Sequence, residues 1–310
     1  MKYLNKTVLF LILYVSLFFF CAHAFQRTET EFFTFIYDRA EHKTARFLAQ
    51  YADPMAREIS ESLGLKFLQR VEVYIVPTFE DFQKTQVQRA RIPGWAVGVA
   101  FPSKNIIVLQ TKKRHDLIKT FRHETNHILL GQAFKGKHRV PRWLDEGLAM
   151  IQAREWSLSR LSKITGAVLT DSLIPMDKIA DSFPLGVRDA ELAYCQSFYF
   201  ISFLKGKFGN NTFKAFLRQY SRHKDFQRAI IEAYGMSWDR VEDLWLDYLG
   251  LRFSWIPIIT STGFLWFAAS LIFILGYIRK KRKSRRKLQQ WALEEYFLYG
   301  DDDSEDDTYH

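Results

Sequence analysis

Residues 121 to 149 contain two runs that decide how the chain is read: His123-Glu124-Thr125-Asn126-His127 and then Trp143-Leu144-Asp145-Glu146-Gly147-Leu148-Ala149. On an α-helix, residues four apart stand one above the other, so His123 and His127 project from one face and can grip one metal ion. Glu124 stands beside them, badly placed to be a ligand but well placed to take a proton from a metal-activated water. Eighteen residues separate His127 from Glu146. Glu146 lies among the apolar residues of a second helix and supplies the third ligand. A solvated polar helix face would account for the first run, but not for the second run at this spacing.

Together the two runs resemble the gluzincin metallopeptidases, in particular their peptidase MA-like and aminopeptidase-N-type branches. The resemblance implies an α+β fold, a zincin-like domain with a small mixed sheet and a zinc-binding helix, followed by a helical subdomain. It implies Zn2+ held by His123, His127 and Glu146, with a position left open for a water whose pKa falls towards about 7. Glu124 then accepts the proton and passes it to the leaving amine. Asp145 and Asn126 are candidates to orient the imidazoles. Further on, Tyr194-Cys195-Gln196-Ser197 with Phe200, Phe203-Leu204 and Phe208-Gly209 is similar to a helix that follows the zinc site in peptidase MA-like proteins. In aminopeptidase-N-type relatives a tyrosine from the helical part donates a hydrogen bond to the oxyanion. Tyr194 is the candidate for that role, with packing as the competing role for its ring.

Two departures from the family pattern matter. Aminopeptidase-N-type enzymes carry a glutamate in a G-A-M-E-N strand motif that binds the substrate's free amine, whereas residues 94 to 101 contain no acid. An endopeptidase is therefore favoured over an aminopeptidase. The thermolysin branch has an aspartate four residues after the ligand glutamate, where this chain has Met150.

The flanks place this site. Residues 1–24 carry Lys2 and Lys6, an apolar run from Val8 to Phe20 and Ala22-His23-Ala24, the pattern of a secretory signal peptide cleaved after Ala24. Cys21 follows three phenylalanines rather than the small residues of a lipobox, which disfavours a lipoprotein. The second apolar block, Trp255 to Ile278, has the length needed to cross a bilayer, so residues 254–278 are expected to form a C-terminal transmembrane helix. The basic run Arg279 to Lys287 directly follows and holds that end in the cytoplasm, where it meets anionic lipid headgroups. Residues 25–253 are then the extracytoplasmic (periplasmic or cell-surface) peptidase domain. Residues 279–310 form a cytoplasmic tail, first basic, then acidic from Asp301 to Asp307.

The basic run and the acidic tail offset one another in the net charge of +10, and residues 25–278 keep a positive excess that is mild for a domain of this size. Nothing in it asks for nucleic acid. Of the two cysteines only Cys195 remains once the signal is removed, so no intramolecular disulfide is expected.

Working along residues 25–253, Phe32 to Tyr37 reads as a first strand. Ala40 to Leu63 reads as an amphipathic helix, bent or split at Asp53-Pro54 and ended by Gly64. Val71 to Val76 alternates as a strand, and Thr78 caps a short helix. Pro93 to Phe101 and Ile106 to Leu109 read as a hairpin-like pair. In gluzincins such an edge strand borders the cleft and holds an extended peptide by backbone pairing. The metal-binding helix is expected from about Arg114 to Leu130, closing at Gly131, with Leu117, Phe121, Thr125 and Ile128 on its apolar stripe. His115 and His138 read as solvated. Beyond Met150 the pattern is helical, over Ala190 to Lys207, Thr212 to Tyr220, Phe226 to Ala233 and Trp238 to Leu249, except for a connection at about 165–189.

These readings converge on a membrane-anchored zinc metallopeptidase acting on peptide or protein substrates outside the cytoplasm. The alternative is a catalytically idle zincin-fold binding or chaperone-like module at the membrane. Lipid or glycan hydrolysis has no residue signature in the chain.

Overall fold

The structure is a computed structural model that describes residues 25–85, 96–112, 116–135, 140–253 and 262–299. The expected signal segment with Cys21, the start of the hairpin at Pro93, His115, His138, residues 254–261 and the acidic block 301–307 lie outside the described residues.

Five strands form one mixed sheet: β1 (Gln26–Glu29), β2 (Phe33–Tyr37), β3 (Val71–Val76), β4 (Gly98–Phe101) and β5 (Ile106–Gln110), in the order β1-β2-β3-β5-β4. The three central strands are parallel and the two edges antiparallel. Central parallel strands need apolar residues on both faces, and β3 carries them, with only Glu72 exposed. β1 was not expected. Its sequence, Gln-Arg-Thr-Glu, has no apolar alternation, and it is a strand because its backbone completes the ladder of β2, with Thr28 Oγ1 2.7 Å from the Tyr37 hydroxyl.

One sheet face packs on α1 (His42–Leu63) and on α3 (Leu117–Ala133), where Phe121 meets the edges of Phe33 and Phe35 at ring separations of 5.1 and 5.8 Å. The other face carries Ile36, Tyr74, Val76 and Val108, covered by Phe79 and Phe82 of the short helix α2 (Phe79–Thr85). Thr78 caps α2 as expected, its hydroxyl oxygen accepting from the Asp81 backbone N–H at 3.3 Å.

Two boundaries differ from expectation. α1 is one helix through Pro54 and is not split. Asp53 at that point accepts from the Thr30 hydroxyl and from the backbone N–H groups of Glu31 and Phe32, tying the helix to the chain before β2. α3 does not close at Gly131 but continues to Ala133. Gly131 is there for contact, since a Cβ at that position would lie 2.2 Å from Pro102 Cβ.

The helices that follow are α4 (Arg142–Gln152), α5 (Leu158–Leu169), α6 (Val187–Phe208), α7 (Asn210–His223), α8 (Phe226–Tyr234) and α9 (Trp238–Phe253), the first compact unit ending within α9 at Leu249. α5 fills the first part of what was read as a connection, which is confined to residues 170–186. Aromatic rings hold these helices together. Trp143, Phe200, Trp238 and Trp245 meet at centroid separations of 5.0 to 5.7 Å, with Trp143, Phe200 and Trp245 almost completely shielded from water and Trp238 partly so.

The second unit contains α10 (Thr262–Tyr299), a single 38-residue helix that joins the apolar block to the basic run. Phe264 to Phe267 and Leu271 to Leu275 are exposed on it, and by length and composition it is apolar enough to cross a membrane.

Candidate metal centre

α3 begins where the Asp116 carboxylate accepts from the backbone N–H of Lys119 at 3.1 Å, so one orphan amide of its first turn is satisfied. Its buried stripe, Phe121, Thr125, Ile128 and Leu129, fixes its rotation against the sheet, and Glu124 then lies at the sheet's β4 edge beside His123 and His127. α4 is fixed differently. A Cβ at Gly147 would lie 2.6 Å from the Ser197 carbonyl oxygen and 2.8 Å from Ile201 Cγ1, so only glycine lets α4 approach α6 this closely. That approach buries Trp143 and Leu144 and turns Glu146 toward the two histidines.

Glu146 Oε2 lies 3.7 Å from His123 Nε2 and 3.8 Å from His127 Nε2, and the three donor atoms lie within 4.8 Å of one another. Each imidazole is held from behind. Glu155 Oε1 lies 2.9 Å from His123 Nδ1, and Asp145 Oδ1 lies 2.7 Å from His127 Nδ1. A carboxylate accepts, so both Nδ1 atoms carry a hydrogen, and both Nε2 atoms face Glu146. Two ring nitrogens and one carboxylate oxygen converging in this way fit a tetrahedral divalent ion with one position open, and zinc suits that donor set.

The electrostatics agree with the geometry. Burial opposes a charge on His123, but Glu146 and Glu155 outweigh it and raise the ring to about 10. His127 rises to about 9, Asp145 outweighing burial. Burial works to raise Glu146 as well, and the two histidines with Arg142 overcome it and hold the carboxyl at about 2. A pocket that favours positive charge this strongly favours a divalent cation too. Glu124 is different. Burial raises its pKa, opposed in part by both histidines and by the backbone N–H of Ala100 on β4. A carboxyl so raised is suited to taking up and releasing a proton.

β4 is the sheet edge beside this carboxylate. A Cβ at Gly98 would fall 2.5 Å from Thr120 Cγ2 and 3.0 Å from Glu124 Cγ, so the edge strand lies against the metal-binding helix. Tyr194, from α6, reaches the same place. Its ring meets the Phe183 ring that also carries the Arg142 guanidinium, and its phenol, raised by burial and by the Glu146 and Glu124 charges, is lowered in part by Arg142.

The structure therefore brings together His123, Glu124, His127, Asp145, Glu146 and Tyr194. Asn126 does not join them: it is fully buried, and its amide donates weakly to the Asp145 carbonyl at 3.5 Å rather than to an imidazole. Two site residues were missed. Glu155 lies beyond the end of α4, where no helical spacing points to it, and Arg160 holds it from α5 at 3.0 Å. Arg142, 3.0 Å from Glu146 Oε1, stands four residues before it, a spacing that could have suggested the pair.

A family model described as the peptidase MA superfamily matches residues 52–250. Among solved structures, native leukotriene A4 hydrolase from Saccharomyces cerevisiae is similar at 14% identity and a TM-score of 0.44, covering 71% of this chain and 37% of its own. The M1 zinc metallopeptidase from Deinococcus radiodurans is similar at 16% identity and a TM-score of 0.41, covering 73% and 51%. Its E323A variant bound to a Tyr-Ser-Ala substrate matches at 16% and 0.39, covering 71% and 50%. The chain thus spans between about a third and a half of the length of these structures. No curated protein matches it in sequence.

Proposed function

The chain belongs to the peptidase MA superfamily, and from that premise we propose that it is a membrane-anchored zinc metallopeptidase that hydrolyses peptide bonds outside the cytoplasm. One observation carries the reading. A single carboxylate oxygen of Glu146 stands 3.7 and 3.8 Å from the Nε2 atoms of His123 and His127, with the protonatable Glu124 beside them.

His123, His127 and Glu146 would hold the zinc, which when bound supplies Lewis-acid chemistry, polarising the scissile carbonyl and acidifying a water. Glu124 removes a proton from that water as its oxygen attacks the carbonyl carbon. When the C–N bond breaks, Glu124 returns the proton to the leaving amine. Tyr194 donates its hydroxyl hydrogen to the carbonyl oxygen as negative charge develops there. Glu155 and Asp145 keep the two rings aimed through both steps. The edge of β4 holds the substrate backbone in an extended form. Residues 98–101 offer no acid to bind a free amino terminus, which supports cleavage within a chain over removal of its first residue.

Residues 25–253 form the catalytic domain in this reading, residues 1–24 export it and residues 254–278 anchor it. The basic run from Arg279 lies against anionic headgroups on the cytoplasmic side.

The test uses the full chain in detergent micelles, with metal content and cleavage of a denatured protein as readouts. One equivalent of zinc is expected, and Glu124→Gln should retain the metal while cleavage falls by about 10²–10⁴-fold. Bound zinc without Glu124-dependent cleavage would instead point to an idle binding module. Absence of zinc would overturn both.

A further inference from the structure

We propose that Arg142 is a positioning residue that couples the ligand Glu146 to the oxyanion donor Tyr194. The inference rests on the zinc-peptidase reading above.

The two oxygens of Glu146 have different partners. Oε2 faces both imidazoles, while Oε1 lies 3.0 Å from Arg142 Nη2. A free carboxylate can chelate with both oxygens and so fill the coordination position that water needs. With Arg142 on Oε1, Glu146 offers one oxygen and the fourth position stays open. The same guanidinium stands beside Tyr194, since both lie against the Phe183 ring, at 5.2 Å and 4.8 Å from its centroid. Because guanidinium only donates, it can meet the phenol only at the oxygen's lone pairs, which leaves the phenol's own O–H to donate elsewhere. Arg142 thus both orients Tyr194 and spares its proton for the substrate.

A plain helix-surface ion pair is the competing description, since Arg142 and Glu146 are four apart, and such a pair is worth about 0.2–0.5 kcal/mol. Three features set this pair apart. The Glu146 side chain is only 10% exposed. The arginine reaches a group on a different helix. It is also clamped: its guanidinium lies 5.2 Å over the Phe183 ring, whose other contact is the Tyr194 ring at 4.8 Å and 90°. The Arg142 backbone N–H meanwhile donates to the Ala180 carbonyl at 2.6 Å. Residues 180–183, between α5 and α6, therefore form a platform that holds the arginine and the tyrosine together.

Four full-length variants test this in detergent: Arg142→Ala, Arg142→Lys, Tyr194→Phe and the double variant Arg142→Ala/Tyr194→Phe. Zinc affinity is read by competition with a chromophoric chelator, the ligand field by the visible spectrum of the cobalt-substituted protein, and kcat and KM on one peptide. Arg142→Ala should weaken zinc by about 10–100-fold, alter the cobalt spectrum and lower kcat with little change in KM. Tyr194→Phe should lower kcat by about 10²-fold and leave zinc affinity unchanged. In the Arg142→Ala background it should cost much less, because both changes remove one donor. Arg142→Lys, a point charge that cannot serve two acceptors at fixed geometry, should retain most of the zinc affinity but little of the kcat. Unchanged zinc affinity and kcat in Arg142→Ala, or multiplicative effects in the double variant, would overturn the coupling. If Arg142→Ala fails to fold by circular dichroism, Arg142→Lys decides, and wild-type kcat there overturns the proposal. Failure of the wild type to bind zinc brings down the peptidase reading and this inference together. Zinc-dependent cleavage by a wild type whose Arg142 variants behave normally brings down this inference alone.

Discussion

Glu155 and Gly98 act on the site at the scale of single residues. Glu155 is 2.9 Å from His123 Nδ1, held by Arg160, and its own carboxyl stays below the usual range because the His123 hydrogen bond and nearby cations outweigh burial. Replacing it with alanine frees the ring to rotate and removes the acceptor that fixes its tautomer. Glu155→Ala should weaken zinc binding by about 10–100-fold, measured by the chelator competition, and Glu155→Asp should recover little because its side chain is one methylene shorter. Gly98 is limited by space. A methyl group there would clash with the Thr120 methyl at 2.5 Å and press on the Glu124 carboxylate at 3.1 Å, so the Thr120 side chain, the edge strand or the base must shift. Gly98→Ala should retain zinc and lose about 10²-fold or more in kcat, since displacing a reacting group by an ångström is that costly.

At the scale of elements, the centre depends on how closely α4 lies against α6. Gly147 allows that approach and the aromatic cluster of Trp143, Phe200, Trp238 and Trp245 rewards it. Gly147→Ala places a carbon 2.6 Å from a carbonyl oxygen in a helix that cannot rotate without exposing Trp143. It should cost about 1–3 kcal/mol of stability, read as a melting temperature several degrees lower, and it should weaken zinc as well because Glu146 is the residue just before it. An equivalent exposed glycine such as Gly166, with nothing within 4 Å of its added Cβ, should accept alanine without loss. α3 is held in the same manner by Gly131 against Pro102, which ties the metal-binding helix to the turn between β4 and β5.

For the whole molecule, the contrast is between a domain with a dense aromatic core and a helix with exposed apolar side chains. α10 carries Phe264 to Phe267 and Leu271 to Leu275 exposed, and it continues without a break through Arg279 to Lys287. At 1.5 Å per residue its 38 residues extend about 57 Å, longer than the roughly 30 Å of a hydrocarbon core. The span and the cationic run are thus one rod. The full chain should remain in membranes after an alkaline carbonate wash. A chain ended after Phe253 should be released by the wash and should still bind zinc. Retention of that shortened chain would argue against α10 as the anchor.

The metal-binding pattern and most elements were legible because the signals behind them are local. The H-E-x-x-H spacing places two rings on one helix face whatever surrounds it, and Val71 to Val76 alternates as only a half-buried or buried strand does. Tertiary structure decided what local spacing cannot encode. β1 is a strand through pairing alone, and α1 runs on through Pro54, with Asp53 there tied to the chain before β2. Gly131 and Gly147 are contact points, not breaks, because other elements press against them. Asn126 was expected to orient a ring and does not, whereas Glu155 does, since which acid meets which nitrogen depends on where α4 ends and α5 begins. By itself, the sequence determined which groups could bind a metal and act on water. Only the fold decided which groups hold them in place, because orientation depends on packing between segments far apart in the chain.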